Sequence, residues 1–371
     1  MPTCSGLTPR ARLAAAAVCA AACLVALGCA APAGSPESPA AAAVAVPCDD
    51  LSPAQPPGAP HHLRADRRLM GTAFQIRVVT ADLARGCDAA NAAFDEVARQ
   101  EALFSEYRQS SEISAINHAA GEAPVDVDPE VFTLLQRSVW ASTVTGGAFD
   151  ITFAGCGRLW SIREQRVPDA QALAGCLQTV GYRRLQLDAW RSTAWLPEAG
   201  MRLGLGGIAK GYGVDRAAEV LRARGLTRFT VDGGGDLRVE GTDIDGAWAV
   251  QIAHPREPGR VFETLRLDRG AIVTSGDYVR FFERDGVRYH HILDPATGQP
   301  ARRTVAVTVI APNATDADAL ATGLFVLGPE RGLAVLDRLP GVDALFFDPD
   351  LNVIASRGFP RARTAGAPPH P

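Results

Sequence analysis

The 371-residue sequence lacks several features that would place it in a common functional class. It has no excess of basic residues, because 37 Lys and Arg are set against 41 Asp and Glu, for a formal net charge of -4. Nucleic-acid binding usually needs a basic face, so that class is excluded. No cysteine spacing resembles a zinc site. The glycine-rich segments match neither the Walker nor the Rossmann nucleotide-binding pattern.

The N-terminal apolar run, Leu13 to Leu27, is too short for a comfortable membrane span. It follows two arginines, which is the order of a secretory signal, and it ends at Cys29 in a segment that resembles a bacterial lipobox. We therefore expect residues 1–28 to be a lipoprotein signal peptide. Lipid on Cys29 would then anchor the protein to a membrane of the bacterial cell envelope, facing the periplasm. The alternative is an ordinary signal peptide cleaved at a small residue nearby.

The rest of the chain divides into three parts. Residues 29–62 are rich in Ala, Pro, Ser and Gly without a periodic apolar face, which predicts a flexible tether. A folded domain is expected over residues 63–360, followed by a disordered tail at 361–371. Outside the signal peptide and Cys29, four cysteines remain: Cys48, Cys87, Cys156 and Cys176. An oxidising compartment allows three pairings of these thiols, among which Cys156 with Cys176 is preferred.

Hydrophobic periodicity predicts both helices and strands in the domain. Helices are expected over residues 89–104, 110–117, 129–143, 169–180, 330–339 and from the glycine-rich segment to about 224. Strands are expected over 68–79, 184–187, 194–196, 248–252, 262–266 and 305–310. Residues 229–239 predict one strand that three glycines interrupt.

Two segments carry the strongest chemical signals. Residues 203–215 combine five glycines with Lys210 and lead into a helix, an arrangement that can hold a phosphate. In a second predicted helix, Asp318 and Thr322 are four residues apart and project from one face. A carboxylate and a hydroxyl are suitable ligands for Mg²⁺, although such a pair is more often a solvated helix face.

Eight ordered motifs together resemble the ApbE family, whose members are FAD:protein FMN transferases. They are Met70-Gly-Thr72, Phe104-Ser-x-Tyr107, Gly147-Ala-Phe-Asp150, Gly206-Gly-Ile-Ala-Lys-Gly-Tyr212, Asp232-Gly-Gly-Gly-Asp236, Thr274-Ser-Gly-Asp277, His291-Ile-Leu-Asp-Pro-x-Thr-Gly298 and Asp316-x-Asp-Ala-Leu-x-Thr-Gly323. The resemblance implies one large α+β domain with a T-fold-like core. It also implies a reaction in which FMN moves from FAD to a Ser or Thr hydroxyl of a flavoprotein, AMP is released, and Mg²⁺ is required.

The resemblance also implies roles for individual residues. Those expected to touch FAD are Met70, Tyr107, Ala148, Phe149, Asp150, Lys210 and Leu293. The Gly207 carbonyl, Asp318 and Thr322 are expected to hold Mg²⁺. Lys210 would stabilise phosphate charge, and His291 is our candidate for accepting the proton of the target hydroxyl, with His290 as its rival.

Some features leave alternatives open. Family members often have Asp where Gly204 stands, so a contact with the flavin nucleotide is expected to be missing. The loop that follows Thr152 also departs from the family pattern.

The same site could let water attack FAD, as in a Mg²⁺-dependent FAD pyrophosphatase, or the protein could be a non-catalytic flavin-binding lipoprotein. The resemblance suggests subunits of membrane redox complexes as acceptors.

Overall fold

The computed structural model describes residues 45–360, apart from residues 53 and 57. The strands of this part are β1 (Cys48–Asp50), β2 (His61–Leu69), β3 (Thr72–Thr80), β4 (Val125–Asp126), β5 (Gln186–Asp188), β6 (Thr193–Trp195), β7 (Phe229–Gly233), β8 (Asp236–Glu240), β9 (Trp248–Ala253), β10 (Val261–Leu267), β11 (Arg269–Gly276), β12 (Phe281–Arg284), β13 (Val287–His290), β14 (Ala306–Ala311), β15 (Asp343–Phe347) and β16 (Val353–Ala355). The helices are α1 (Leu83–Phe104), α2 (Glu112–His118), α3 (Pro129–Val144), α4 (Ala154–Gly157), α5 (Ala170–Leu177), α6 (Ala209–Ala223), α7 (Ala314–Leu327) and α8 (Pro329–Leu336). This mixture confirms the predicted α+β class.

The main sheet has nine strands in the order β1-β2-β3-β7-β8-β11-β14-β15-β16. Every neighbouring pair in it is antiparallel. Helices α1, α6 and α7 bury their apolar residues against one face of the sheet. The β9–β10 hairpin packs Trp248, Ile252 and Leu265 into a separate apolar cluster with sheet residues such as Val239 and Ile272. Helices stacked on an antiparallel sheet are the arrangement expected of a T-fold-like core.

Helix α7 is the most deeply buried helix in the site region. Its N-terminus is capped by Asn313, whose side-chain oxygen accepts a hydrogen bond of 2.8 Å from the Asp316 backbone N–H. The helix is apolar on almost every side, so tertiary packing surrounds it. Helix α6 approaches closely because Gly211 has no side chain: a Cβ there would lie 2.2 Å from the Ala314 carbonyl oxygen. This close approach fixes the glycine-rich segment against the helix that carries Asp318.

The segment predicted as one strand over residues 229–239 is instead a pair of antiparallel strands, β7 and β8. The chain reverses at Gly234 and Gly235, where φ is +68° and +98°. Glycine adopts this left-handed region without the steric cost that other residues meet. The reversal directs Asp236 back towards α6 and α7.

The folded domain begins before residue 63, so the predicted boundary of the tether was wrong. Strand β1 pairs with β2, and the Val46 N–H donates to Asn91 Oδ1 at 2.7 Å. A disulfide between Cys48 and Cys87 ties β1 to α1. These contacts order residues that composition alone predicted to be flexible. The signal peptide, Cys29, the first part of the tether and the tail at 361–371 lie outside the described residues.

A second disulfide joins Cys156 in α4 to Cys176 in α5, which confirms the preferred pairing. With this bridge and the bridge from Cys48 to Cys87, all four remaining thiols are paired. Among the helices described here, none is long and apolar enough to cross a lipid bilayer.

Candidate active site

The domain contains a pocket of about 860 Å³, a size within the usual range for small-molecule sites. It lies between the β2–β3 turn, the end of α1, the glycine-rich segment, α7 and the chain that follows β13. The structure brings together in its lining all the residues that the sequence predicted for the site: Met70, Tyr107, Ala148, Phe149, Asp150, Gly207, Lys210, His291, Leu293, Asp318 and Thr322. Their roles towards a ligand stay predictions.

Lys210 lies in the first turn of α6 and is held between two carboxylates. Its Nζ is 2.7 Å from Asp236 Oδ2 and 3.2 Å from Asp318 Oδ2. Burial opposes the ammonium charge, but the two carboxylates outweigh burial and raise the pKa of Lys210 above its usual value. Lys210 is therefore a fixed positive charge on the pocket wall at neutral pH.

Asp236 is a site residue that our sequence reasoning did not select. The residue is 3% exposed, and burial together with the charge of Asp318 raises its pKa. Asp236 ends the Asp-Gly-Gly-Gly-Asp motif, so the motif drew attention to it. The neighbouring sequence did not indicate, however, that its carboxylate would pair with a lysine 26 positions away. Two buried carboxylates thus share one ammonium group.

The three predicted magnesium ligands lie at the junction of α6 and α7. A Cβ on Gly207 would lie 3.1 Å from Thr322 Oγ1 and 3.2 Å from Phe149 Cε2, so the backbone at Gly207 passes close to both side chains. Asp318 is 4% exposed, and its Oδ2 accepts a hydrogen bond of 3.1 Å from the Gly211 backbone N–H. In the described part of the chain, no cluster of three or more His, Cys, Asp or Glu side chains suits a metal ion. The predicted magnesium ligands instead include one carboxylate, that of Asp318, with the Thr322 hydroxyl and the Gly207 backbone carbonyl.

The two neighbouring histidines differ in their hydrogen bonds. His290 is buried, its Nε2 lies 2.8 Å from the Ala301 carbonyl oxygen, and its Nδ1 accepts from the Ile292 N–H at 3.3 Å. Both of its ring nitrogens are therefore occupied. His291 is exposed at the pocket, and its Nδ1 lies 3.3 Å from the Arg280 carbonyl oxygen. Because a carbonyl only accepts, the neutral ring carries its proton on Nδ1 and leaves Nε2 free as a base.

The pocket surroundings keep His291 neutral. Although the His291 ring is accessible from the pocket mouth, the pocket walls around it remove part of its hydration and lower its pKa to about 4, and the positive charges of Arg280 and Lys210 add to this effect. A hydrogen bond to the backbone at Arg280 opposes the shift without cancelling it. Between His290 and His291, the geometry favours His291 as the proton acceptor.

The apolar wall of the pocket contains Phe149, which is 4% exposed, and Ala148. Met70 lies in the β2–β3 turn at φ +49°, followed by Gly71 at φ +73°, and its N–H donates to Glu101 Oε2 at 2.9 Å. Positive φ at two successive residues is the signature of a type I′ hairpin turn. The turn therefore holds the Met70 side chain at the pocket rather than in the sheet.

Both carboxylate oxygens of Asp150 accept hydrogen bonds from other residues of the domain. Its Oδ1 accepts from the Thr152 N–H at 2.8 Å and from the Thr152 hydroxyl at 2.6 Å, and its Oδ2 accepts from the Tyr182 N–H at 2.9 Å. Asp150 lines the pocket, but these bonds give it a structural role in shaping the wall.

Gly204 contributes no side chain to the pocket, as the sequence analysis expected. A Cβ there would lie 2.7 Å from Ala154 Cβ and 3.1 Å from Glu106 Oε1. The divergent loop after Thr152 forms α4, which carries Ala154 and half of a disulfide. Glu106 is a further pocket residue that the sequence analysis did not select.

Comparison with known proteins gives a consistent result. A profile of the ApbE family matches residues 70–346. FAD:protein FMN transferase from Treponema pallidum is 41% identical over 312 residues, which cover 78% of this chain and 85% of that protein. The Vibrio cholerae protein of the same name is 36% identical over 265 residues, covering 69% of this chain and 79% of that protein.

Solved structures agree with the sequence relatives. The ApbE protein from Thermotoga maritima superposes with a TM-score of 0.74 at 32% identity, covering 80% of this chain and 97% of that chain. The flavin transferase ApbE from Vibrio cholerae superposes with a TM-score of 0.73 at 30% identity, covering 80% of this chain and 98% of that one.

The fold and the pocket thus define a single-domain α+β protein of the flavin transferase type. The chain belongs to the ApbE family.

Proposed function

We propose that this protein transfers FMN from FAD to a Ser or Thr hydroxyl of a flavoprotein, with release of AMP and with a requirement for Mg²⁺. The chain is an FAD:protein FMN transferase by its similarity to the relatives of that name. One observation supports the finer chemistry most strongly: Lys210, Asp236 and Asp318 form a charged cluster in the wall of the same pocket that His291 lines.

The cluster has the charge balance of a cation site. Two buried carboxylates share the single positive charge of Lys210, so a further cation would relieve the repulsion that raises the pKa of Asp236. The oxygens of Asp318 and Thr322 and the Gly207 carbonyl are the ligand types that Mg²⁺ prefers. These three residues would hold the ion, which would neutralise negative charge on the diphosphate of FAD.

The protein's own residues supply the remaining chemistry. The Lys210 ammonium stabilises negative charge on the phosphates and on the departing AMP. His291 accepts the hydroxyl proton at Nε2 as the new oxygen–phosphorus bond forms and the bond to the AMP phosphate breaks. Phe149 and Met70 provide apolar contacts for the flat flavin ring.

The pocket mouth is suited to a protein acceptor. Tyr107 is 80% exposed and Val279 is 64% exposed, and both line the pocket near the chain that carries His291. A hydroxyl on a second protein can therefore approach His291 from solvent. The acceptors we propose are flavoprotein subunits of membrane redox complexes.

Incubation with FAD, Mg²⁺ and a candidate acceptor tests this function, with mass spectrometry of the acceptor as the measurement. Covalently added FMN and release of AMP in equal amount are the expected results. Free FMN with an unmodified acceptor would identify an FAD pyrophosphatase instead. Intact FAD after long incubation would identify a flavin-binding protein without activity. Removal of Mg²⁺ with a chelator should stop the reaction, and added Mg²⁺ should restore it.

We place the protein at the cell envelope, lipid-anchored through Cys29 and facing the periplasm. Two disulfides in the described domain support an oxidising compartment. Metabolic labelling with a palmitate analogue tests the anchor. The mature protein should carry label that Cys29→Ala abolishes, whereas an unlabelled protein or an unchanged label in the variant would refute it.

A further inference from the structure

The pocket contains a carboxylate that the proposed chemistry does not use, that of Glu106. It lies beside Gly204, where a Cβ would come within 3.1 Å of Glu106 Oε1. Both residues line the pocket, together with Phe153, Gly157 and Trp160. The space that a side chain at position 204 would use is therefore taken by Glu106 and by Ala154.

The loop that carries Glu106 is held in place by hydrogen bonds of its own. Ser105 Oγ accepts from the Tyr107 N–H and the Arg108 N–H, each at 3.2 Å. The opposite wall is also fixed, because the side chain of Asn117 donates to the Leu203 carbonyl at 3.0 Å and accepts from the Leu203 N–H at 2.6 Å. The backbone on both sides of the gap between Glu106 and Gly204 is thus held in place by the fold.

The Glu106 carboxylate does not take part in an ion pair within the described domain. Among residues 45–360, no Lys, Arg or His side chain forms a salt bridge with Glu106. Burial raises its pKa, and the more distant charges of Arg158 and Arg202, with a hydrogen bond from Tyr107, only partly oppose this effect. A partly desolvated acceptor without a cationic partner gains most from a hydrogen-bond donor that enters the pocket.

We infer that Glu106 positions the substrate by accepting a hydrogen bond from a hydroxyl or N–H group of FAD, a contact that Gly204 cannot make. The inference rests on the proposed function, because it takes the pocket to be the FAD site. FAD offers such donors on both halves, namely the hydroxyls and adenine amine of the AMP half and the ribityl hydroxyls and ring N–H of the FMN half. Glu106 is therefore a positioning residue that favours intact FAD over ligands without its donor group.

Titration of FAD into Glu106→Gln and Glu106→Ala tests the inference, with dissociation constants from calorimetry. Since a hydrogen bond to a charged group is strong, we expect FAD binding to weaken about tenfold or more. The matched control is Glu164→Gln, which changes an exposed glutamate that pairs with Arg166. Thermal unfolding without ligand separates a binding defect from a folding defect.

Two smaller ligands locate the donor group. Weaker binding of ADP with unchanged binding of FMN assigns the contact to the AMP half, and the reverse result assigns it to the FMN half. Either result supports the inference. A triple variant tests whether a carboxylate at position 204 can replace that of Glu106. It combines Gly204→Asp, which adds the new carboxylate, with Glu106→Ala and Ala154→Gly, which remove the side-chain atoms that would clash with it. We expect this triple variant to bind FAD more tightly than Glu106→Ala.

Unchanged FAD affinity in both Glu106 variants would overturn the inference and leave the proposed function intact. Equal weakening of all three ligands, with a lower unfolding temperature, would also overturn it, because the role would then be structural. If the wild-type protein itself fails to bind FAD, the proposed function fails instead.

Discussion

Gly211 in α6 lies against the start of α7, where a Cβ would come within 2.2 Å of the Ala314 carbonyl oxygen and 2.8 Å of Asp318 Cβ. The Gly211 N–H also donates to Asp318 Oδ2 at 3.1 Å. Gly211 thus permits the close approach of α6 to α7 and also orients the Asp318 carboxylate where the two helices meet. The glycine-rich segment carrying Lys210 depends on this contact for its position.

We predict that Gly211→Ala destabilises the domain. Alanine favours a helix over glycine by about 1 kcal/mol, but the clash is with backbone and cannot be relieved by a rotamer change. We expect the free energy of unfolding to fall by about 1–3 kcal/mol in urea denaturation. The control is Gly175→Ala in α5, where a Cβ meets nothing within 4 Å. Equal stability of the two variants would contradict the packing we describe.

Loss of the first disulfide is predicted to destabilise the N-terminal edge of the sheet. The bridge from Cys48 to Cys87 closes a separation of 39 residues, and chain-entropy arguments assign such a loop about 3–4 kcal/mol. The double variant Cys48→Ser/Cys87→Ser should unfold at a lower urea concentration. Hydrogen exchange should increase first in β1, since among the strands described here its one neighbour is β2. Unchanged exchange in β1 would mean that its pairing is independent of the bridge.

Helices with a clear apolar face were predictable from sequence. Helix α3 begins at Pro129 and α1 ends at Phe104, as the periodicity indicated. Strand β14 was also expected, although it begins one residue later than predicted. In these elements the local pattern and the tertiary environment favour the same conformation, so sequence reasoning succeeded.

Other features depended on contacts that are distant along the chain. The Asp-Gly-Gly-Gly-Asp motif was read as an interrupted strand because glycine positions do not reveal φ, and the reversal at Gly234 and Gly235 changes where Asp236 points. The composition of residues 45–62 indicated a tether, but the disulfide from Cys48 and pairing with β2 override composition. Lys210 and Asp318 were both identified from the sequence, whereas the ion pairs that join Lys210 to Asp318 and to Asp236 could be found only in three dimensions.

Asp318→Asn is predicted to lower FMN transfer by about a hundredfold or more, the magnitude typical of removing one preorganised charge-stabilising group. The substitution keeps the side-chain volume but removes a charge from the buried cluster. FMN incorporation into an acceptor at increasing Mg²⁺ is the measurement, and excess Mg²⁺ should restore only part of the activity. The exposed Asp245→Asn is the control. Wild-type turnover in Asp318→Asn would refute its assignment to the cation site.

Lys210→Ala should weaken FAD binding and slow the reaction together. The ammonium lies on the pocket wall, and its loss leaves Asp236 and Asp318 facing each other without their shared cation. The uncompensated negative charge of these carboxylates then repels an entering diphosphate. Calorimetry should show weaker FAD binding, and unchanged affinity would exclude a phosphate role for Lys210.

His291 is expected to make the stability of the domain depend on pH, because its folded-state pKa is lowered to about 4 from an ordinary value of 6.5. Well above pH 6.5 the imidazole is neutral in both folded and unfolded chains, so it contributes no pH dependence to stability. As pH falls from 6.5 to 4, the unfolded chain binds a proton that the folded chain does not, and stability falls. His291→Gln should therefore lose less stability than the wild type over this window, with the surface variant His118→Gln as control.

The lowered pKa of His291 also predicts how the rate of FMN transfer declines at acidic pH. If Nε2 of His291 accepts the hydroxyl proton, transfer should stay nearly constant from pH 8 to pH 6 and decline only as pH approaches 4, because the base is already neutral across the upper range. In His291→Gln the rate should fall by about 10²–10⁴-fold and lose this decline at acidic pH. A wild-type rate that halves near pH 6.5 would show that hydration of the exposed ring restores its ordinary pKa. A normal rate in His291→Gln would show that the hydroxyl proton leaves by another route.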